Sequence, residues 1–254
     1  MSAAGARFIG RAERRLAVCA STNDEAAAWA RAGAPEGAVV IAEEQERGRG
    51  RLGRTWHSPR GENLYFSTVL RPRIAPHLAP PLTLVAAVAL AEAVAGAGAD
   101  PELKWPNDVL LDGRKVAGIL TEMATSGARI EHVIVGIGVN LETRRFPDEL
   151  AARATSLALA LALPPEEPVD REAFIAALCA ALERWYLRFL DEGTAPVVAA
   201  WRARARLFGR RVEIAGGGEP VRGVAEALDD DGALVVRSDD GTRVRVMAGE
   251  LSLT

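Results

Sequence analysis

Residues 48 to 54 combine three glycines with three arginines in the order Gly-Arg-Gly-Arg-Leu-Gly-Arg. The segment matches G-x-G-x-x-G, the dinucleotide-binding pattern, in which a strand precedes the glycines and a helix starts within them. Here Glu-Glu-Gln-Glu-Arg precedes the glycines, and Pro59 and Gly61 follow soon after them. The sequence predicts neither the strand nor the helix, so NAD is not the expected ligand.

We call residues 47–54 the arginine loop. Glycine lets backbone N–H groups come close to a ligand, and each guanidinium offers a fork of donors to a carboxylate or phosphate. Ordering seven residues costs on the order of 10 kcal/mol, whereas hydrogen bonds to charged groups return about 1.5–3 kcal/mol each. The composition therefore favours a loop that becomes ordered over an anionic ligand. The alternative is a solvated, arginine-rich surface loop.

A second group of reactive side chains lies between Lys104 and Lys115, in Lys-Trp-Pro-Asn-Asp and the residues that follow. Pro106 predicts a turn before Asn107 and Asp108, and the Asp-Gly pair at 112–113 predicts a hairpin. Asp108 and Lys115 should then lie side by side on paired strands. Beside an anion-binding loop, such a lysine is a candidate for stabilising a reacting phosphate. The alternative is a surface ion pair worth under about 1 kcal/mol.

The third segment is the apolar strand Val-Ile-Val-Gly-Ile-Gly-Val-Asn-Leu at residues 133–141. Gly136 and Gly138 inside a strand indicate close approach by a ligand or by another backbone, and tight helix–sheet packing explains them equally well. Asn140 at the end of the strand could bind a base edge or serve only as a turn residue.

The remaining pattern predicts an α+β fold with a mixed or antiparallel sheet and flanking helices. A strand at 16–20 leads into a helix that Ser21 or Thr22 could cap, since Thr22 and Glu25 have capping-box spacing. Leu82–Ala99 is barely long enough to span a bilayer and contains Glu92, so we expect a buried helix. Apolar residues at steps of 3 and 4 predict a long helix over 170–191. Five short strands after residue 209 predict a small barrel, giving a large α+β domain at 1–206 and a small β domain at 207–254.

Composition excludes several classes of protein. Thirty-one basic and 34 acidic side chains give a net charge of −3, whereas nucleic-acid-binding proteins usually carry excess positive charge. Cys19 and Cys179 are too few for a secreted disulfide scaffold, the N-terminus lacks an apolar leader, and the three histidines have no metal-ligand spacing. We therefore expect a cytoplasmic protein without a structural metal, without DNA and without a membrane.

Three separate motifs together resemble those of the biotin protein ligases. They are G-R-G-R-L-G-R-x-W-x-S-P at 48–59, K-W-P-N-D and K-V-A-G-I-L-T-E within 104–122, and G-I-G-V-N at 136–140, and Ser-Thr-Asn at 21–23 and Gln45 also match. The resemblance implies an enzyme that joins biotin to ATP to give biotinyl-5′-adenylate and pyrophosphate, with Mg²⁺ on the phosphates. It then transfers biotin to a lysine of a biotin carboxyl carrier protein. The implied fold is a domain related to class II aminoacyl-tRNA synthetases followed by an SH3-like barrel.

The resemblance also implies roles for individual residues. Three are catalytic candidates: Lys115 between the biotin carboxylate and the α-phosphate, Arg51 over the phosphates, and Asp108 beside the incoming carrier lysine. Trp56 would cover the adenine face and Asn140 would bind its edge. The full set expected to bind biotin or ATP is Ser21, Thr22, Asn23, Gln45, Arg49, Gly50, Arg51, Trp56, Asn107, Lys115, Gly118 and Asn140.

The chain departs from the family pattern in two places. Position 52 is Leu where some members have Arg, which removes one charge. Fifteen residues precede the first predicted strand, so we expect a short form without the N-terminal DNA-binding domain of family members that act as repressors. A lipoate or octanoate ligase of the same fold and an RNA-binding module built on the arginine loop are the alternatives. The sequence is compatible with a monomer or a homodimer.

Overall fold

The computed structural model describes residues 8–216 and 219–253, so the first seven residues, on which part of the expectation of no apolar leader rests, lie outside it. Its larger sheet contains seven strands. These are β1 (Glu13–Leu16), β2 (Val39–Ala42), β3 (Leu64–Leu70), β4 (Glu102–Lys104), β5 (Asp108–Leu111), β6 (Arg114–Ser126) and β7 (Arg129–Val139). Their spatial order is β1-β2-β3-β7-β6-β5-β4. β1 runs parallel to β2, and the other neighbouring pairs are antiparallel. The predicted mixed sheet is therefore confirmed.

Helices cover both faces of this sheet. They are α1 (Thr22–Arg31), α2 (Leu82–Gly96), the short α3 (Asp148–Ala151) and α4 (Leu157–Ala160), α5 (Arg171–Glu192) and α6 (Ala195–Arg202). On one face, Val40, Val69 and Ile134 pack against alanines of α1. The alternate strand residues, such as Phe66 and Ile137, belong to the main core with α2 and α5. Because successive strand side chains point to opposite faces, α1 covers only part of the first face and leaves the rest for the site.

α2 is the central core helix. The segment Pro76–Gly96, which contains α2, has the length and hydropathy of a membrane span, and 72% of its most apolar window is buried inside the protein. It packs between the sheet and α5, so the expected buried helix is confirmed, and it ends at Gly96. α5 is also confirmed: its apolar face is buried and the Asp170 side chain accepts a hydrogen bond from the N–H of Ala173 at its start.

The C-terminal region forms a separate five-stranded antiparallel sheet. Its strands are β8 (Arg211–Ala215), β9 (Val221–Leu228), β10 (Leu234–Arg237), β11 (Arg243–Val246) and β12 (Glu250–Leu253). The order is β11-β10-β9-β8-β12, the arrangement expected of an SH3-like domain. Within the described residues no ladder joins β11 to β12, so hydrogen bonding does not close the predicted barrel.

Two local predictions at the start of the chain are wrong. The first strand spans Glu13–Leu16 instead of residues 16–20, because it is a short, exposed edge strand whose polar side chains hide its pattern. Ser21 does occupy the N-cap position of α1, but its side chain makes no capping hydrogen bond. The hydroxyl and backbone N–H of Thr22 both face the Gln45 side chain, at 3.1 and 2.8 Å, so Thr22 forms no capping box with Glu25.

The position of α2 predicts a strong dependence of stability on its apolar side chains. Leu90 is fully buried, so Leu90→Ala should lower the free energy of unfolding by about 2–5 kcal/mol through lost burial and a residual cavity. Leu187→Ala on α5 is the control, because Leu187 is 48% exposed, and it should cost less than about 1 kcal/mol. Urea unfolding monitored by circular dichroism measures both, and equal losses would contradict a core position for α2.

Candidate active site

A cavity of about 680 Å³ lies between the uncovered part of the larger sheet, the arginine loop and β12. Every residue that was predicted to be catalytic or to bind biotin or ATP lines it. These are Ser21, Thr22, Asn23, Gln45, Arg49, Gly50, Arg51, Trp56, Asn107, Asp108, Lys115, Gly118 and Asn140. Residues separated by more than 100 positions therefore meet in one place, while their individual roles stay predictions.

Three glycines on β6 and β7 make the floor of this cavity. Gly118 and Gly138 face each other in register, and Gly136 pairs with Leu120. A Cβ atom on Gly138 would lie 2.6 Å from the Trp56 indole, and one on Gly136 would lie 2.0 Å from Asn23 Oδ1. A larger residue at either position would collide with Trp56 or Asn23, so these strand positions require glycine.

A hydrogen-bonded cluster of neutral side chains occupies the α1 end of the floor. Ser67 Oγ lies 2.8 Å from Thr22 Oγ1 and 2.7 Å from Asn23 Oδ1. Asn23 Nδ2 donates to the carbonyl of Leu120 at 3.2 Å and to Glu122 at 2.6 Å. Thr22, Asn23 and Ser67 are all buried. The buried groups at this end of the cavity are therefore ordered and uncharged, and the charged Glu122 beside them is partly exposed.

The opposite end carries the charged groups. Lys115 Nζ lies 2.6 Å from Asp108 Oδ1, as the hairpin predicted. Asp108 Oδ1 is buried without an aligned hydrogen bond, so the contact is a close ion pair. Lys115 Nζ also lies 5.3 Å from the centre of the Trp56 ring, within cation–π range. Three groups therefore follow one another along β6 inside the cavity. Asn23 contacts Leu120, Trp56 lies against Gly118, and the ammonium of Lys115 comes last.

Arg51 extends the positive end of the cavity. Burial lowers the pKa of its guanidinium, and the nearby charge of Asp108 acts in the opposite direction. Its Nη1 donates to Asn107 Oδ1 at 3.4 Å, and Asn107 Nδ2 donates to the carbonyl of Ile119 at 2.6 Å. The turn between β4 and β5 therefore holds Arg51 near Asp108. Among the described residues, the long Asn107 contact is the one hydrogen bond of this guanidinium, so it stays available to an anion.

Each of the three arginines at 49, 51 and 54 contacts a different element. Arg49 pairs with Asp24 of α1 at 2.8 Å and Glu122 of β6 at 3.0 Å. Arg54 makes a two-pronged ion pair with Glu250 of β12. At the tip, Leu52 has a φ of 55° and its side chain lies against Gly216 in the C-terminal domain. The loop is a tight hairpin in which the Gly50 N–H donates to the Arg54 carbonyl.

Some side chains make contacts that the sequence did not indicate. Asn140 is buried and its Nδ2 donates to the carbonyl of Thr155 at 3.0 Å, so part of its amide is occupied by the protein. Ser67 was missed because a single serine inside the strand pattern has no motif. Glu250 was missed because 196 residues separate it from Arg54, and no local pattern reports such a pair.

The glycine floor yields the first prediction for the site. Gly138→Ala should displace the Trp56 indole and lower the free energy of unfolding by about 1–3 kcal/mol through overpacking. The five indole N–H resonances of the ¹H–¹⁵N spectrum report this, with the Trp56 peak assigned from Trp56→Phe. Gly96→Ala is the control, since no atom lies within 4 Å of the added methyl on that helix residue. An unmoved Trp56 resonance in Gly138→Ala would contradict the contact.

The Arg54–Glu250 pair yields the second prediction. Both side chains are about half exposed, so Glu250→Gln should change the free energy of unfolding by less than about 1 kcal/mol. It should still speed hydrogen exchange at the loop amides of Gly50 and Trp56. Arg54 lowers the pKa of Glu250 below its ordinary value of 4.5, so the pair persists at pH 4.5 and above and is lost as the pH falls through that lowered value.

Asp239→Asn is the matched control for this experiment. It breaks the Arg211–Asp239 pair, which is also exposed and two-pronged but lies within the C-terminal domain. Hydrogen exchange in residues 48–56 should not respond to it. Loop exchange that is the same in Glu250→Gln and the unmodified protein would show that β12 does not hold the loop.

Comparison with known proteins gives a consistent result. The Biotin/lipoate A/B protein ligase family model matches residues 16–140, and the Biotin protein ligase C terminal domain model matches residues 207–253. The biotin–[acetyl-CoA-carboxylase] ligase of Paracoccus denitrificans is 40% identical over 232 residues, covering 90% of this chain and 95% of that protein. The bifunctional ligase/repressor BirA of Bacillus spizizenii is 36% identical over 239 residues, covering 93% of this chain and 72% of that protein.

A solved structure agrees over nearly the full length. The biotin protein ligase from Aquifex aeolicus, in complex with biotin and ATP, superposes with a TM-score of 0.82 at 27% identity. The match covers 96% of this chain and 99% of that one. The expected fold, including both sheets, is confirmed, and the chain belongs to the biotin protein ligase family.

Proposed function

We propose that the protein activates biotin with ATP and transfers it to one lysine of a biotin carboxyl carrier protein. The carrying observation is the order of groups along the cavity: a neutral hydrogen-bonding cluster at Thr22 and Asn23, then Trp56, then the cations Lys115 and Arg51. A fused ring with polar N–H and C=O groups, an apolar tail and a terminal carboxylate matches this order. The biotin ligases of Paracoccus and Mycobacterium support the assignment.

In the first step the carboxylate of biotin attacks the α-phosphorus of ATP. A bond forms between a carboxylate oxygen and the α-phosphorus. The bond between the α-phosphorus and the oxygen that bridges to the β-phosphate breaks, and pyrophosphate leaves with that oxygen. Two anions must approach each other, so fixed cations at this point lower the barrier most. Lys115 and Arg51 supply them, and Asp108 holds Lys115 in place at 2.6 Å. The partly desolvated Arg51 interacts more strongly with phosphate than an exposed arginine would.

In the second step the neutral amine of the carrier lysine attacks the acyl carbon, and AMP leaves as the acyl–oxygen bond breaks. The amine must lose a proton during this step. Asp108 is the carboxylate that pairs with Lys115 in the cavity, and we assign it the role of orienting that amine or accepting its proton. Water would hydrolyse the adenylate, and the arginine loop is positioned along the cavity to exclude it.

Magnesium fits this site through the nucleotide. In residues 8–216 and 219–253 no group of three or more His, Cys, Asp or Glu side chains could hold a metal ion. Mg²⁺ in ATP sites is usually bound by substrate phosphates with few protein ligands. Bound there, it would neutralise charge on the departing pyrophosphate.

The remaining assignments complete the proposal. We divide the chain into a ligase domain at 1–206 and a C-terminal domain at 207–254, and we place the protein in the cytoplasm, where the thiols of Cys19 and Cys179 stay reduced. DNA and membranes are not proposed partners. The RNA-binding alternative loses support because Asp24, Glu122 and Glu250 neutralise Arg49 and Arg54.

The decisive experiment is adenylate synthesis with purified protein, ATP and Mg²⁺, offering biotin, lipoate or octanoate separately. Mass spectrometry should detect an acyl adenylate with biotin alone, and transfer to added carrier protein should follow. Lys115→Ala should lower the rate by about 100-fold or more, because a cation that faces the developing charge is lost. Lys104 and Lys115 are the only lysines of the chain, so labelling of the enzyme itself gives little background.

Arg114→Ala is the matched control, since this neighbouring cation does not line the cavity. It should keep the wild-type rate. A lipoyl adenylate would move the assignment to lipoate ligase with the same chemistry. No adenylate from any of the three acids, in a protein that melts cooperatively, would refute the proposed function.

A further inference from the structure

Ser67 is fully buried on β3, beneath the neutral end of the cavity, and no motif includes it. Its hydroxyl oxygen lies within hydrogen-bond distance of two side chains, Thr22 Oγ1 at 2.8 Å and Asn23 Oδ1 at 2.7 Å. A serine hydroxyl has one hydrogen, so it can donate to only one of them. The direction of these bonds follows from the surrounding groups.

Asn23 determines the direction of its hydrogen bond with Ser67. Its neighbours on the far side are the Leu120 carbonyl and the Glu122 carboxylate, and both accept hydrogen bonds. The NH₂ group of Asn23 must face them, which leaves Oδ1 facing Ser67. Ser67 therefore donates its hydrogen to Asn23. The 2.8 Å contact between the two hydroxyls then requires Thr22 to donate to Ser67.

Gln45 determines the orientation on the other side. The Thr22 backbone N–H donates to Gln45 Oε1 at 2.8 Å, and Gln45 Nε2 donates to Ser58 Oγ at 3.2 Å. Ser58 in turn donates to the Trp56 carbonyl at 3.0 Å. Gln45 Oε1 also lies 3.1 Å from Thr22 Oγ1, but it already accepts the Thr22 backbone N–H, and the hydroxyl has a single hydrogen. Because Ser67 donates its own hydrogen to Asn23, the shorter 2.8 Å contact between the two hydroxyls takes the Thr22 hydrogen, and Thr22 Oγ1 presents lone pairs to the cavity.

We propose that Ser67 is a positioning residue that holds Thr22 Oγ1 as a hydrogen-bond acceptor and so selects a ligand ring with an N–H at that point. The inference rests on the proposed function, in which Thr22 and Asn23 face the biotin ring. The cyclic urea of biotin carries two N–H donors. The dithiolane of lipoate and the chain of octanoate carry none, so they would leave the buried Thr22 lone pairs unpaired, and such unpaired groups discriminate strongly between substrates.

The first test compares two buried hydroxyls on adjacent residues. Ser67→Ala should raise KM for biotin about tenfold, the cost of one misaligned buried hydrogen bond, with kcat and KM for ATP within about twofold of wild type. Thr68→Val removes the hydroxyl that bonds the Ala38 carbonyl on the opposite face, so it should destabilise the fold without changing KM for biotin. Ser67→Cys, with a weaker donor, should give an intermediate KM.

The second test determines directly whether Thr22 Oγ1 accepts or donates the hydrogen bond to the ligand ring. In a carbamate analogue of biotin, a ring oxygen replaces one N–H, and both positional isomers are made. Wild type should reject the isomer that places this oxygen at Thr22. Ser67→Ala should reject it less, because the freed Thr22 hydroxyl can turn and donate to the oxygen.

The outcomes separate this inference from the proposed function. Failure of the unmodified enzyme to form an adenylate with biotin would refute the function itself. A normal enzyme whose Ser67→Ala variant has the same KM for biotin as Thr68→Val, or the same carbamate preference as wild type, would overturn the role of Ser67 alone. Should Ser67→Ala fail to fold, the KM and the carbamate preference of Ser67→Cys decide the question.

Discussion

The glycines on one face of β6 and β7 are the constraint on which the site depends. Gly118, Gly136 and Gly138 carry no side chain in a sheet whose other face supports the main core. Asn23 and Trp56 can therefore lie directly on the backbone of the strands. Because the register of the sheet is fixed by the buried residues of the opposite face, the floor is as rigid as the core behind it.

The arginines of the loop differ in how they use their charge. Arg49 and Arg54 form ion pairs with carboxylates of the protein, as about half of the described arginines do. Within residues 8–216 and 219–253, no carboxylate lies within ion-pair distance of the Arg51 guanidinium, and burial lowers its pKa. A phosphate that binds Arg51 would offset the free-energy cost of burying its charge. This explains why the loop turns Arg51 toward the cavity, while Arg49 and Arg54 form ion pairs with the protein.

Much of the site was predictable because its chemistry is local in sequence. The Asp108–Lys115 pair follows from a hairpin of known turn type, and the close approach at Gly136 and Gly138 follows from glycine inside an apolar strand. β1 was misplaced because an exposed edge strand buries too little to show alternation. The open order of the small sheet, the Arg54–Glu250 pair and the contacts of Ser67 depend on three-dimensional proximity, and no spacing rule encodes them.

Ser67 shows most clearly why a binding site needs more than the residues that contact the ligand. A threonine hydroxyl alone can donate or accept, so it recognises nothing in particular. The two strict acceptors at Leu120 and Glu122 orient Asn23, Asn23 orients Ser67, and Ser67 orients Thr22. The selectivity of the cavity thus originates in a backbone carbonyl and a carboxylate of β6. A change at Glu122, which also pairs with Arg49, would reach both the neutral cluster and the arginine loop.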